Sequence, residues 1–129
     1  PNLECGCAKR GCIEIFLSGT GLKRLHAAFR MVAKGIVAQV ESGDAQAEHS
    51  LTLYKNQLAC ALSSIINPVD PDVIILGSRL SNVAQLYKNV PKFWSNWVFT
   101  DQVNMLLQPP KFSDLSGVIG AAWLWTEGE

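Results

Sequence analysis

The sequence has no surplus of charge of either sign: eleven basic and eleven acidic side chains cancel over 129 residues. That balance, with no basic stripe along the chain, removes the electrostatic case for nucleic acid or an anionic membrane as partner. Long apolar runs are lacking too. No segment approaches the ~20 residues that a bilayer-spanning helix needs, and no signal-peptide pattern opens the chain. Internal repeats, low-complexity tracts and linkers are absent, so residues 1–129 read as a single lobe in a soluble, cytoplasmic setting. Histidine is scarce: His26 and His49 are the only two, both in helical stretches, and neither is spaced to join a metal cluster. The chain opens on Pro1 and runs at once into cysteines, which reads as a piece of a longer protein.

What is present is apolar and patterned. Hydrophobic residues make up 48% of the chain, enough for one core. The organising stretch is Asn67 to Asn82. Its prolines and aspartates end a helix, Val73 to Leu76 form an apolar β-branched run, and Gly77-Ser78 turn the chain toward a new helix. An apolar run without alternation predicts a strand covered on both faces, as in a mostly parallel sheet flanked by helices. Ligands in such sheets sit beyond the carboxyl ends of the strands, which places Gly77 to Leu80 near a candidate nucleotide position.

Cys5, Cys7 and Cys12 fall within eight residues, with glycines at 6 and 11. Three thiolates on a short loop suit a zinc knuckle, which takes four tetrahedral ligands. Reduced cysteines that merely pack, or a disulfide from Cys12 to one of the others, are the alternatives. Cys60, between Ala59 and Ala61, reads as a small core residue.

The stretch Cys5-Gly-Cys-Ala-Lys-Arg-Gly-Cys-Ile-Glu14, followed by Ser18-Gly19, resembles the Cys-x-Cys-Gly-x-x-Gly-Cys-x-Glu…Ser-Gly signature of the ROK family of sugar kinases and sugar-responsive repressors. Asp70 to Asn82 resembles the family's Pro-Asp-x-Ile-x-x-Gly-Gly-x-x-Ser segment, and Ser116 to Trp125 its terminal Gly-Ala-Ala helix. Within the family, Ser18-Gly-Thr-Gly21, Leu80-Ser-Asn-Val83 and Gly120-Ala-Ala-Trp-Leu-Trp125 look most like bacterial fructokinase. The resemblance covers the chain end to end and corresponds to the C-terminal part of such a kinase.

The resemblance implies an α/β fold: the C-terminal lobe of an actin-like, ribonuclease-H-like ATPase, with helices packed on a small, mostly parallel sheet. It implies structural zinc on Cys5, Cys7 and Cys12, with a fourth histidine ligand upstream, and a Glu14 that accepts hydrogen bonds from sugar hydroxyls. On the residues alone, Glu14 is a helix-start carboxylate favoured by the dipole. Gly77 and Ser78 would line the adenosine side of an ATP site. The full-length parent would transfer phosphate from magnesium-ATP to a hexose, with fructose as the expected substrate. Such catalysis is positioning, charge stabilisation and removal of the hydroxyl proton by an aspartate. No acidic residue here matches that base, so no catalytic residue is assigned and the chain alone is expected to be inactive. The implied partners are sugar, ATP, the missing N-terminal lobe and a second copy in a homodimer. The other readings are the sugar-sensing lobe of a ROK repressor, marked by an upstream helix-turn-helix, and a purely structural zinc-stabilised fragment.

Three departures stand out. Ala8 replaces a glycine, which is tolerable if that position keeps a negative φ. Ser78 and Arg79 interrupt a glycine run, and Phe112-Ser113-Asp114 stands where relatives tend to carry His-Gly-Asp. Periodicity predicts helices from Cys12 or Ile13 to near Ser18-Gly19, from a Thr20 cap to about Met31, over Ala33 to Glu41, and from an Asp44 cap onward. The last carries the stripe Ala47, Leu51, Tyr54, Leu58, Ala61 and Ile65, with Glu48, Lys55 and Gln57 on its solvated face. A helical stretch from Ser81 to about Trp97 that Pro91 either kinks or divides in two, a second strand over Val103 to Leu107, and a closing helix over Gly117 to Trp125 complete the reading. Trp94 and Trp97 read as core or oligomer contact, and the small residues of the last helix as points of close approach.

Overall fold

The computed structural model describes residues 3–25, 33–77, 79–100, 103–112 and 115–124. Helix α1 (Ile13–Leu17) follows the cysteine loop directly, because Ile15 N–H donates to the Cys12 carbonyl at 3.0 Å. Ser18 ends it in extended backbone, and its hydroxyl then accepts from Gly21 N–H at 3.0 Å, so Ser18 and not the expected Thr20 caps helix α2 (Gly19–Leu25), which already includes Thr20. The two helices pack together at Gly21, where any Cβ would overlap the Ile15 and Phe16 carbonyl oxygens. A glycine is required there for that close approach. The expected continuation of α2 to Met31 lies outside the described residues. Helix α3 (Ala33–Glu41) has the expected bounds.

Asp44 caps helix α4 (Ala45–Val69) by accepting from Gln46 and Ala47 N–H at 2.8 and 3.0 Å. Ala47, Leu51, Tyr54 and Leu58 are buried as the periodicity predicts, but farther along the inward face shifts to Ala59, Leu62 and Ile66. Ile65 is 48% exposed. Ile65 lies about five whole turns beyond Ala47, on the same side of the helix, so the shift comes from what packs against α4 and not from the period of the stripe. Lys55 also departs from the reading: it is 3% exposed, because the chain beyond β1 packs over it and Gln85 Oε1 accepts from its ammonium at 3.3 Å. Pro68 does not stop α4. The carbonyl it leaves without a donor belongs to Ser64, which is exposed to water, and the helix ends instead at Asp70 in the left-handed region (φ 47°).

Strand β1 (Val73–Ile75) pairs in parallel with β2 (Leu106–Gln108), Val73 opposite Leu106 and Ile75 opposite Gln108. The second strand thus starts later than the expected Val103, since pairing begins only where β1 offers partners: Leu106 N–H donates to Asp72 C=O, just past Pro71. Between the strands the chain forms a 3₁₀ turn (Arg79–Asn82), helix α5 (Ala84–Asn89) and a 3₁₀ segment (Val90–Asn96), so of the two outcomes expected at Pro91, a kink or a division, it is the division that occurs. Pro91 near the start of that segment supplies the break. Trp94 is 4% exposed in the core, whereas Trp97 is 38% exposed and donates to Asn56 Oδ1 at 3.0 Å. Helix α6 (Ser116–Ala122) closes the described chain; its Gly117 and Gly120 face open space rather than a close neighbour.

The core joins Leu22, Ile36 and one face of α4 to Leu86, Val90, Trp94, Met105 and Leu107. Only one face of the sheet meets it. Ile74 packs against this cluster, while Val73 and Ile75 on β1 and Leu106 on β2 are 45%, 59% and 56% exposed. The double cover predicted for β1 is therefore absent among the described residues.

Candidate functional site

The cysteine loop is shaped by its backbone. Cys5 N–H donates to Lys9 C=O at 2.8 Å, Gly11 N–H to Leu3 C=O at 2.9 Å, and a short antiparallel bridge joins Glu4 and Arg10. Gly11 sits at φ 70°, and so does Ala8 at φ 63°, contrary to the negative φ on which its tolerance depended. The turn needs a left-handed residue there, and alanine carries the strain that glycine would not.

The result is that the sulfurs of Cys5, Cys7 and Cys12 all lie within 4.8 Å of one another, with Cys7 and Cys12 at 3.5 Å. All three are free thiols in this structure. The Lys9 backbone amide, then the neighbouring Cys12 and Cys5 thiols, lower the Cys7 pKa, while Cys12, facing Cys7 first, is pushed up to about 11. Thiols this close favour one anion per pair, and a divalent cation relieves that conflict. Tetrahedral zinc at ~2.3 Å from each sulfur has S···S edges of roughly 3.8 Å, so the cluster fits three corners of such a site. No histidine joins it among the described residues: His49 lies apart on α4, and His26 lies outside them.

Glu14 stands two residues beyond Cys12, exposed in the first turn of α1. It lines a cavity of about 380 Å³ together with Leu17, Ser18, Gly19, Tyr54, Leu58, Leu76, Gly77, Ser81 and Leu86. Two residues singled out from separate motifs, Glu14 and Gly77, thus meet in one cavity at the carboxyl end of β1. Gly77 has no neighbour within 4 Å of where a Cβ would stand, so the backbone there is open to approach. Ser78 lies outside the described residues.

The sequence reading missed Tyr54 as part of this site, seeing only a stripe residue. Its hydroxyl donates to the Leu17 carbonyl at 2.8 Å, tying α1 to α4 across 37 positions of sequence. Burial, and secondarily the negative charge of Glu14, raise the Tyr54 pKa well above that of a free phenol, so it keeps its proton and its bond. A tyrosine in an otherwise aliphatic stripe was the available signal, since a buried phenol needs an acceptor. Cys60 is half-buried on the far side of α4, beside Ile13, Phe16 and Trp97, rather than enclosed in the core.

The fold is that of an actin-like ATPase lobe. The chain is similar to the ROK family glucokinase from Streptomyces griseus solved in complex with glucose and AMPPNP, with a TM-score of 0.83 and 22% identity, covering 98% of this chain and 48% of that one. It is also similar to a ROK family transcriptional regulator, a homolog of the E. coli MLC protein, with a TM-score of 0.67 and 18% identity, covering 84% of this chain and 31% of that one. The ROK family description matches residues 1–128, and the chain belongs to the ROK family. A curated relative, the N-acetyl-D-glucosamine kinase of Mannheimia succiniciproducens, is 33% identical over 128 residues, covering 97% of this chain and 42% of the relative. The chain therefore spans less than half the length of that kinase. The expected closeness to fructokinase is not supported: this relative is named for another sugar.

Proposed function

We propose that these residues form the C-terminal part of an ATP-dependent sugar kinase, in which Glu14 receives the sugar and the Gly77-Ser78 turn borders the nucleotide. The observation that carries this reading is the shared cavity of Glu14 and Gly77, reached from two separate motifs. An ionised carboxylate offers acceptors to two neighbouring hydroxyls, and its place on a five-residue helix between Cys12 and the Tyr54–Leu17 bond limits where it can point. Zinc on Cys5, Cys7 and Cys12, completed by a ligand from outside these residues, would supply a rigid anchor for the start of α1. An exposed glycine turn at the end of a parallel strand leaves backbone accessible to a nucleotide. The name of the Mannheimia relative favours N-acetyl-D-glucosamine over the fructose expected from the sequence. The catalytic base and the remaining sugar contacts belong to the rest of the enzyme, so the isolated chain is inactive in this reading.

The test joins residues 1–129, in place of the matching part, to the remainder of the Mannheimia kinase and assays phosphate transfer from magnesium-ATP. The expected result is ATP-dependent phosphorylation of N-acetyl-D-glucosamine by the joined protein and none by the chain alone. A joined protein that folds, binds the sugar and never transfers phosphate would favour the second reading, a sugar-sensing lobe, which the likeness to the regulator keeps open.

A further inference from the structure

Trp94 differs from its neighbours in the core in carrying a polar group with nothing to bond. It is 4% exposed, and its indole Nε1–H is shut off from bulk water with no acceptor among the described residues. A buried indole ordinarily finds a partner, and a donor left without one is destabilising. Leucine or phenylalanine would fill the same place without stranding a donor. Trp94 also lines a cavity of about 580 Å³, a size typical of small-molecule sites, together with Tyr87, Pro91, Val98, Val103 and Met105. This cavity shares no lining residue with the one that holds Glu14 and Gly77. It sits where the chain enters β2, at the amino end of the parallel pair, whereas Glu14 and Gly77 meet at the carboxyl end of β1.

The lining sets the chemistry of an occupant. None of the described residues around this cavity carries a charge, so nothing there would offset the desolvation of a charged molecule. The rings of Trp94, Tyr87 and Pro91 offer flat apolar surface, which suits a planar ring. The Tyr87 hydroxyl already donates to the Ser81 carbonyl at 2.6 Å, which leaves the indole as the buried donor in want of an acceptor. We propose that this cavity is a second binding site, separate from the Glu14–Gly77 cavity, for an uncharged planar molecule bearing a carbonyl oxygen. The ring lies among Tyr87, Pro91 and Trp94, and the oxygen accepts from Trp94 Nε1–H. An aromatic amide is the simplest member of that class. The site depends on neither the kinase reading nor the zinc.

Nicotinamide is the probe, titrated into the isotope-labelled full chain while the indole N–H resonances are followed. The Trp94 signal, assigned by its loss in Trp94→Phe, should move downfield and saturate with a Kd of about 10 mM or tighter, as expected for so small a ligand. The Trp97 signal, from an indole already bonded to Asn56, should stay in place. Toluene, which lacks the acceptor, and nicotinate, which carries a charge, should each bind at least about tenfold more weakly. Trp94→Phe keeps a ring and removes the donor, and should weaken nicotinamide about tenfold, read from the Val103 and Met105 methyl signals. If that variant does not fold, Val103→Phe fills the cavity from a half-buried position, leaves the indole intact and should abolish the shift. A Trp94 signal that stays unmoved at about 50 mM nicotinamide would overturn the proposal, and a water cross-peak to that indole would then name a resident water as its acceptor. Toluene or nicotinate binding as tightly as nicotinamide would overturn it too, because neither the acceptor nor the neutrality of the ligand would then matter.

Discussion

The cysteine loop and helix α4 hold their shapes by opposite means. The loop buries almost nothing: Cys5 and Cys12 are half-buried, Cys7 is exposed, and its one ion pair, Arg10 to Glu4 at 2.7 Å, joins side chains 56% and 76% exposed. Such a pair contributes at most about 1 kcal/mol. Backbone turns give the loop geometry, and little apart from a shared cation would hold three thiols together. Helix α4 instead buries ten residues, and its inward face packs on apolar side chains of the core. Glu14 hangs between the two, fixed at one end by Cys12 and at the other by α1 resting on Tyr54. The difference teaches that the site's precision depends on the weakly buried region, while the stability of the lobe depends on the strongly buried one.

If that division holds, substitutions should separate cleanly. Leu86→Ala, at a side chain 1% exposed against α4, should cost about 2–5 kcal/mol in urea unfolding and leave metal content unchanged. Cys12→Ser should do the reverse: zinc measured on protein purified without chelator falls from about one ion per chain to near none, while the circular dichroism of the α4 core stays as it was. Tyr54→Phe touches both regions. It leaves the Leu17 carbonyl without its donor and should cost about 1–2 kcal/mol, with α1 amides exchanging faster than those of α4. The smallest effect is a gain. Ala8→Gly relieves a left-handed alanine and should stabilise the loop by about 1 kcal/mol at most, read as tighter zinc retention against a chelator.

Local rules were legible wherever a single residue dictates them. The Asp44 cap, the α3 limits and the stop at Ser18 follow from side-chain chemistry within a few positions. What could not be read from pattern depends on partners distant in sequence. Ile65 matches the stripe yet is exposed, and Ala61 is only half-buried, because the elements that pack over each turn of α4 come from elsewhere in the sequence. Lys55 reads as surface until Gln85, thirty positions on, covers it. The start of β2 is set by Asp72 and not by its own residues. Of the site, the three cysteines were visible as a cluster from spacing, and Glu14 and Gly77 were visible as motif residues. Their meeting in one cavity is tertiary, and Tyr54, which closes it, carried only a faint signal.

The central claim is that the loop aims Glu14 at a sugar. Glu14→Gln in the joined kinase keeps the shape and removes the charge, and hydrogen bonds to charged groups contribute roughly 1.5–3 kcal/mol. The account predicts that kcat/KM for the sugar falls by about ten- to a hundredfold, with zinc content and the KM for ATP little changed. A Glu14→Gln enzyme that retains its zinc and phosphorylates the sugar as efficiently as the parent would contradict it, and would make Glu14 a helix-start carboxylate and nothing more.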